Sequence, residues 1–304
     1  MNDVHKPVLV DEICFWLKPL PGGIYVDCTV GIGGTSLKIL EKSGKDAHII
    51  GLDRDYQAVS LAKKTLSEYE SSVNIIHGNF SHIRDFVQKS GYEKVDGVVF
   101  DLGVSSLQLD RAERGFSFSL SGPLDMRMDQ TQKVTAADLV NHLPEKELAD
   151  VIFTYGEERY SRRIARAIVQ ARKADLIQTT QALVSVLEGA LPYAYKKGRL
   201  HFATRTFQGL RICVNRELDL LEPAIRDAIE LLKDGGRVCV VAFHSLEDRI
   251  VKQTFRSLAQ REHPKVALLV KKPVTPSVLE MQQNPRARSA KLRVAERLPE
   301  GETL

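Results

Sequence analysis

The chain reads as an α/β protein, an open parallel sheet whose winding is interrupted by an inserted helical domain. Three observations predict this. Short apolar runs rich in β-branched residues alternate with helical segments through residue 108, as strands buried on both faces should. From about Leu109 to Asn215 only helical periodicity remains. From 216 onward the alternation resumes. The expected division is therefore 1–108 with 216–304 as one domain and 109–215 as an insertion.

The elements follow in order. Asp11 to Leu17 is an amphipathic helix that stops before Pro19, and Pro21-Gly22-Gly23 turns the chain into a first strand, Ile24 to Val30. That strand breaks into Gly31-Ile32-Gly33-Gly34-Thr35, a helix runs from Ser36 to Lys42, and a second strand, Ala47 to Leu52, ends on Asp53. Strand, glycine turn, helix, strand and acidic tip make the first half of a Rossmann-like domain, with Asp53 placed to accept hydrogen bonds from ribose hydroxyls. The glycines let the backbone turn tightly and lie against a ligand. A dinucleotide site would want a third glycine where Ser36 stands, and Asp27 in the first strand would repel a pyrophosphate. A carboxylate there suits S-adenosylmethionine, which carries a sulfonium and an ammonium and no phosphate. Three readings stay open on this stretch alone: that methyl donor, a dinucleotide, or a doubly wound domain holding neither.

A helix from Tyr56 to about Tyr69 leads to a third strand, Val73 to His77. Asn79 and Phe80 in the loop beyond it lie where an adenine would rest, although Phe80 reads equally as core. Val95 to Asp101 is the fourth strand, and its carboxyl-end Asp101 faces the crevice where open α/β sheets bind ligands. The insertion carries helical periodicity in 136–141, 145–155, 161–174, 180–190 and 204–214, with Arg159, Arg162, Arg163 and Arg166 at helical spacing. Arg216 to Leu232 is a long helix stopped by Asp234-Gly235-Gly236. A fifth strand, 237–243, ends at His244-Ser245, and a helix spans 246–260. Strands at 266–271 and 291–298 flank a long loop, 273–290, that holds Arg286 and Arg288.

Composition narrows the partners. Residues 1–150 carry 16 Lys and Arg against 22 Asp and Glu, whereas 151–220 carry 12 against 6 and 245–297 carry 12 against 5. Two basic segments in a chain of net charge only +4 suggest a surface facing a polyanion, with solvated helix faces as the ordinary alternative. No run has the length of a membrane span, and the first six residues lack the apolar core of a signal peptide. The four cysteines, 14, 28, 213 and 239, form no C-x-x-C pair and read as apolar fillers, so no metal site is expected and the expected location is cytoplasmic.

The motifs together resemble a known family. They are His5-x-Pro7-Val8-Leu9, Gly31-x-Gly33-Gly34-Thr35, Asp101-Leu-Gly-Val-Ser-Ser, Glu113-Arg-Gly-Phe-Ser-Phe and Gly122-Pro-Leu-Asp-Met-Arg-Met. Tyr155-Gly-Glu-Glu-Arg, Ala203-Thr-Arg-Thr-Phe-Gln, His244-Ser-Leu-Glu-Asp-Arg and Asn284-Pro-Arg-Ala-Arg-Ser continue the series. In this order they are similar to the bacterial MraW (RsmH) family. The resemblance implies a class I S-adenosylmethionine methyltransferase that modifies the exocyclic N4 of a cytosine in the decoding centre of 16S ribosomal RNA, within the small subunit. It implies donor contacts from Gly31, Gly33, Gly34, Thr35, Asp53, Phe80, Asp101 and Gln108, of which Gln108 reads by itself as a solvated loop residue. Asp101, or the backbone and hydroxyls of 102–106 including Ser105, is expected to accept from the cytosine amine, with His244 lining the base pocket. The arginines of the insertion, with Arg286 and Arg288, are expected to hold phosphates. Two other classes compete: a nicotinamide oxidoreductase, which leaves the basic insertion unexplained, and an RNA-binding protein on an inactive scaffold.

Overall fold

The computed structural model describes residues 7–260 and 263–299; His5 of the first motif lies outside them. Among the described residues seven strands form one sheet: β1 Ile24–Asp27, β2 His48–Asp53, β3 Val73–His77, β4 Val95–Asp101, β5 Leu232–Ala242, β6 Val266–Leu268 and β7 Lys291–Arg297. Their spatial order is β3-β2-β1-β4-β5-β7-β6. The first five strands pair in parallel, and β7 runs antiparallel to both β5 and β6. The winding reverses between β1 and β4, so the carboxyl ends of β2, β1 and β4 face the crevice of a doubly wound sheet.

The period-two alternation of strand side chains builds a core on each face. Val98, Phe100, Val238 and Val240 point to one side, against the helices Ile83–Lys89, Leu221–Leu231 and Ser245–Ala259. Val99, Cys239 and Val241 point to the other, against Val10–Leu17, Gly34–Lys42 and Tyr56–Thr65. Three of the four cysteines are buried, and burial pushes the Cys14 thiol up to about 11. They fill space.

The chain divides into two compact units, Met1–Gly103 with Leu218–Leu304, and Val104–Glu217. The bounds expected from periodicity were 109 and 215. The Val104–Glu217 unit takes in the helix Ser106–Asp110, whose five residues are too few to register as a period. It is helical, with an apolar core that includes Ile152, Ile164, Ile168, Leu187 and Leu210. Its helices Glu145–Gly156 and Thr204–Asn215 touch backbone to backbone, because a Cβ on Gly156 would lie 2.3 Å from the carbonyl oxygen of Arg205. The Gly122-Pro-Leu-Asp-Met-Arg-Met motif is a pinned loop. Met126 takes a left-handed φ of 62° and its carbonyl accepts from the Asn215 side chain at 2.7 Å, while the Met128 N–H donates to that same side chain at 2.8 Å. Fully buried Arg114 donates to the carbonyls of Arg127 and Met128.

Several elements differ from the reading of the sequence. β1 ends at Asp27, three residues early, where the chain turns to form the glycine loop. The expected 216–232 helix spans Leu221–Leu231. Asp234-Gly235-Gly236 belongs to β5, since Leu232 already pairs with Val95 and the register then shifts around Gly235 at φ 75°. The expected loop 273–290 holds a helix, Val278–Gln283, and a 3-10 turn, Pro285–Ser289.

Candidate cofactor site at the carboxyl ends of the central strands

Three neighbouring strands each end in an aspartate: Asp53 on β2, Asp27 on β1 and Asp101 on β4. Asp27 is buried, and its carboxylate accepts from the Ser36 hydroxyl at 2.7 Å and the Thr29 N–H at 3.3 Å. Ser36 therefore occupies the third-glycine position for a reason: it fastens the helix Gly34–Lys42 to the end of β1. Asp27, read from sequence as facing a cation, is internally satisfied. Burial pushes it up to about 6, against the lowering effect of its two hydrogen bonds and with the help of the Asp53 charge.

Asp53 accepts the Gly31 N–H at 2.9 Å on one oxygen and the Asp55 N–H at 2.8 Å on the other. It thus ties the glycine turn to the tip of β2, and a carboxylate has lone pairs for further donors beyond these two. Burial raises its pKa, and those two backbone donors oppose the rise. Gly33 lies at φ 93°, and a Cβ there would meet the Leu66 side chain at 3.2 Å. Its glycine is required by the turn and by that contact, independently of any ligand. Gly31, at φ 54°, is favoured by conformation alone. Gly34 and Thr35 open the helix, with Thr35 buried.

Asp101 differs from the other two. Its N–H donates to Thr29 Oγ1 at 2.7 Å, which fixes the tip of β4 against the turn. Its Oδ1 is buried with no hydrogen-bond partner in the protein. Burial, then the charges of Asp27 and Glu247, push it up to about 8. A buried acceptor without a donor is costly unless a ligand supplies one.

Phe80 is 5% exposed and packs edge to face on Phe100 with centroids 5.7 Å apart, while the Arg54 guanidinium lies 5.7 Å from its ring centroid. Those contacts are those of a core residue at the crevice rim. Asn79 caps the turn Phe80–His82 by accepting the Ser81 N–H at 3.0 Å. His244 caps the helix Ser245–Ala259: Nδ1 accepts the Glu247 N–H at 3.3 Å, and the Glu247 carboxylate accepts the Phe243 N–H at 2.8 Å. With Nδ1 accepting, the ring proton sits on Nε2, 3.2 Å from a Glu247 carboxylate oxygen.

Ser105 and Gln108 lie in the Val104–Glu217 unit, where they cap the helix Ser106–Asp110 reciprocally. The Ser105 hydroxyl accepts the Gln108 N–H at 3.2 Å, and the Gln108 side-chain oxygen accepts the Ser105 N–H at 3.1 Å. Gln108 is 4% exposed, so the solvated loop residue suggested by its sequence position is in fact buried. Reading the residues missed Thr29, Ser36, Arg54 and Glu247. The S/T-x-x-E/Q spacing could have flagged Ser105 with Gln108; nothing local marks Thr29, whose partner lies 72 residues away.

The donor set can be tested for fit. Asp27, Asp53 and Asp101 end adjacent strands, and burial raises all three, with smaller rises from the Asp53 charge at Asp27 and from the Asp27 and Glu247 charges at Asp101. A pyrophosphate would add repulsion there, whereas a cationic ligand relieves it and gives Asp101 Oδ1 a donor. S-adenosylmethionine fits, with a glycine turn for backbone approach and Asp53 for the ribose.

Fold and site together define an open α/β protein whose topological switch point fits a cationic nucleoside. The model of the MraW methylase family matches residues 2–298. A ribosomal RNA small subunit methyltransferase H of Geobacter sp. strain M21 is 48% identical over 312 residues, covering 98% of this chain and 100% of its own. Another of that name, from Brevibacillus brevis, is 47% identical over 307 residues, covering 97% and 98%. A solved rRNA methylase of Streptococcus thermophilus aligns at 11% identity and a TM-score of 0.46 over 97% of this chain and 99% of its own, too distant to bear on function. The chain belongs to the MraW methylase family, whose methyl donor is S-adenosylmethionine.

Proposed function

We propose that this protein methylates small-subunit ribosomal RNA, transferring the methyl of S-adenosylmethionine to the exocyclic N4 of a cytosine in the decoding centre of 16S RNA. The relatives' shared name supports the RNA class. The single observation that carries the chemistry is the unpartnered, buried carboxyl oxygen of Asp101 at the end of β4.

Bound donor supplies an electrophilic methyl on a sulfonium. The cytosine amine is a weak nucleophile, because its lone pair is delocalised into the ring. The protein's part is to hold that amine at near-attack distance, roughly 3–3.5 Å, and to exclude water. Asp101 accepts a hydrogen bond from the bound cation or from the amine, and its ionised form takes up the proton that leaves the nitrogen. His244, at the carboxyl end of β5, lines the base pocket. Ser105 stays a candidate catalytic residue and Gln108 a candidate donor contact; Ser105→Ala and Gln108→Ala assign each by whether kcat or donor affinity falls. Gly31, Gly33, Gly34, Thr35, Asp53 and Phe80 make up the remainder of the donor site. The target base must be unpaired or flipped out, since a stacked amine cannot reach the methyl group.

The test is transfer of labelled methyl to small subunits from a strain lacking the gene, followed by mapping of the modified base. A modified guanine, or label confined to protein, overturns the proposal. Asp101→Asn with full turnover and full donor affinity overturns the role of Asp101.

A further inference from the structure

The Val104–Glu217 unit contains a device that methyl transfer does not use. Glu158 is fully buried; one carboxylate oxygen accepts the Tyr160 N–H at 2.8 Å and the other accepts the Tyr195 hydroxyl. The rings of Tyr160 and Tyr195 meet edge to face with centroids 5.0 Å apart. The Arg159 guanidinium lies 5.0 Å from the first centroid and 5.2 Å from the second. Arg159 is exposed, and no salt bridge among the described residues engages it. Burying a carboxylate to hold one backbone N–H and one phenol is expensive for a surface that only solvates. It makes sense if the fixed ring positions the arginine, because a guanidinium already held in place loses less freedom when it takes a phosphate. The helix Tyr193–Lys196 adds a second part: Tyr193 is 72% exposed, with the Lys197 ammonium 5.4 Å from its ring centroid. Arg159 thus lies by the rings of Tyr160 and Tyr195, and Lys197 by that of Tyr193; cations set among aromatic rings are the combination that single-stranded nucleic acid binds, through phosphate and stacked base together.

We infer that Arg159 holds a phosphate and Tyr193 stacks an unpaired base of the same RNA strand, with Glu158 and Tyr195 as positioning residues. This rests on the reading above that the substrate is RNA. It adds where the single strand next to the target is gripped.

The experiment is fluorescence anisotropy of the full chain with a labelled pyrimidine-rich single strand and with its duplex, across a salt series. Arg159→Ala is expected to weaken single-strand binding several-fold and to flatten the log–log salt slope by about 0.7. Tyr193→Ala is expected to weaken it about tenfold with no change of slope and little effect on the duplex, and Tyr193→Phe to restore it. Glu158→Leu should reproduce the Arg159→Ala loss, and Glu158→Gln, which keeps an acceptor for the phenol, should recover it. Calorimetric donor affinity serves as the folding control, and Arg159 and Tyr193 are exposed enough for substitution to spare the fold. If Arg159→Ala and Tyr193→Ala both bind as the unaltered chain does, the inference fails while the RNA reading stands. If the unaltered chain binds neither RNA at low salt, both fail.

Discussion

Asp101 is a buried carboxyl group with one oxygen that no donor in the protein reaches. Its folded pKa, pushed up to about 8 by burial and by two neighbouring carboxylates, lies well above the usual carboxylate range. The sign follows directly. A group raised on folding contributes its stability below its unfolded pKa and loses that contribution as pH climbs through the folded value. Without donor, the thermal midpoint should therefore fall between about pH 4 and pH 8 by more than in Asp101→Asn, and the variant should melt higher than the parent at pH 8.5. Scanning calorimetry at both pH values checks this; equal pH profiles would sink it. Donor binding reverses the balance, because a cation beside Asp101 favours the ionised form. Binding at pH 7 is then expected to release a proton, seen as a calorimetric enthalpy that changes with the ionisation heat of the buffer. The same argument makes Asp101→Asn lose at least about tenfold in donor affinity, since a charge-assisted hydrogen bond is roughly twice as strong as a neutral one.

At the scale of elements, the contact of Gly156 with the Arg205 carbonyl sets a sharp test. Alanine improves helix propensity by about 1 kcal/mol over glycine. Its Cβ would sit 2.3 Å from a backbone oxygen, and forcing two packed helices apart costs about 1–3 kcal/mol or more. The clash should win, so Gly156→Ala is expected to lower the urea midpoint with an unchanged m-value. Asn215 offers a second case. It serves Met126, Met128 and Arg211 with three bonds while buried, and Asn215→Leu leaves those backbone groups bare at a cost of about 2–4 kcal/mol. Elements of this kind were unevenly legible. β3 and β4 were read to the residue, because β-branched runs bounded by turns leave little choice. The helix Ile83–Lys89 was missed, since seven residues with only three apolar side chains carry too little period. The places of Asp53 and Asp101 at the tips of β2 and β4 were legible because each closes an apolar run. Thr29, Ser36 and Glu247 were not, because their meaning lies in partners that only the folded sheet brings near.

For the whole molecule, the charge division gives the remaining prediction. Arg162 and Arg163 are exposed and hold no ion pair among the described residues, while Arg166 lies 3.6 Å from Glu145, both on the surface. Such a surface pair is worth little, so Arg166 remains open to a phosphate. Charge reversal at Arg162 and Arg166 is expected to weaken RNA binding by tenfold or more at moderate salt while donor affinity stays as it was. Filter binding beside calorimetry separates the two, and unchanged RNA binding at low salt would remove the polyanion surface from consideration. No helix among the described residues is long and apolar enough to cross a membrane.

The order of strands across the sheet also bears on how the chain is made. Among the described residues β6 pairs only with β7, yet it is synthesised more than twenty residues earlier, and β5 likewise waits for β7 along one edge. On the ribosome both stretches emerge before the ribbon that joins them, with an apolar β5 bare on that side. The growing chain therefore passes through a stage in which the apolar 238–242 end of β5 offers an open rim, and that interval is when a holdase has most to protect.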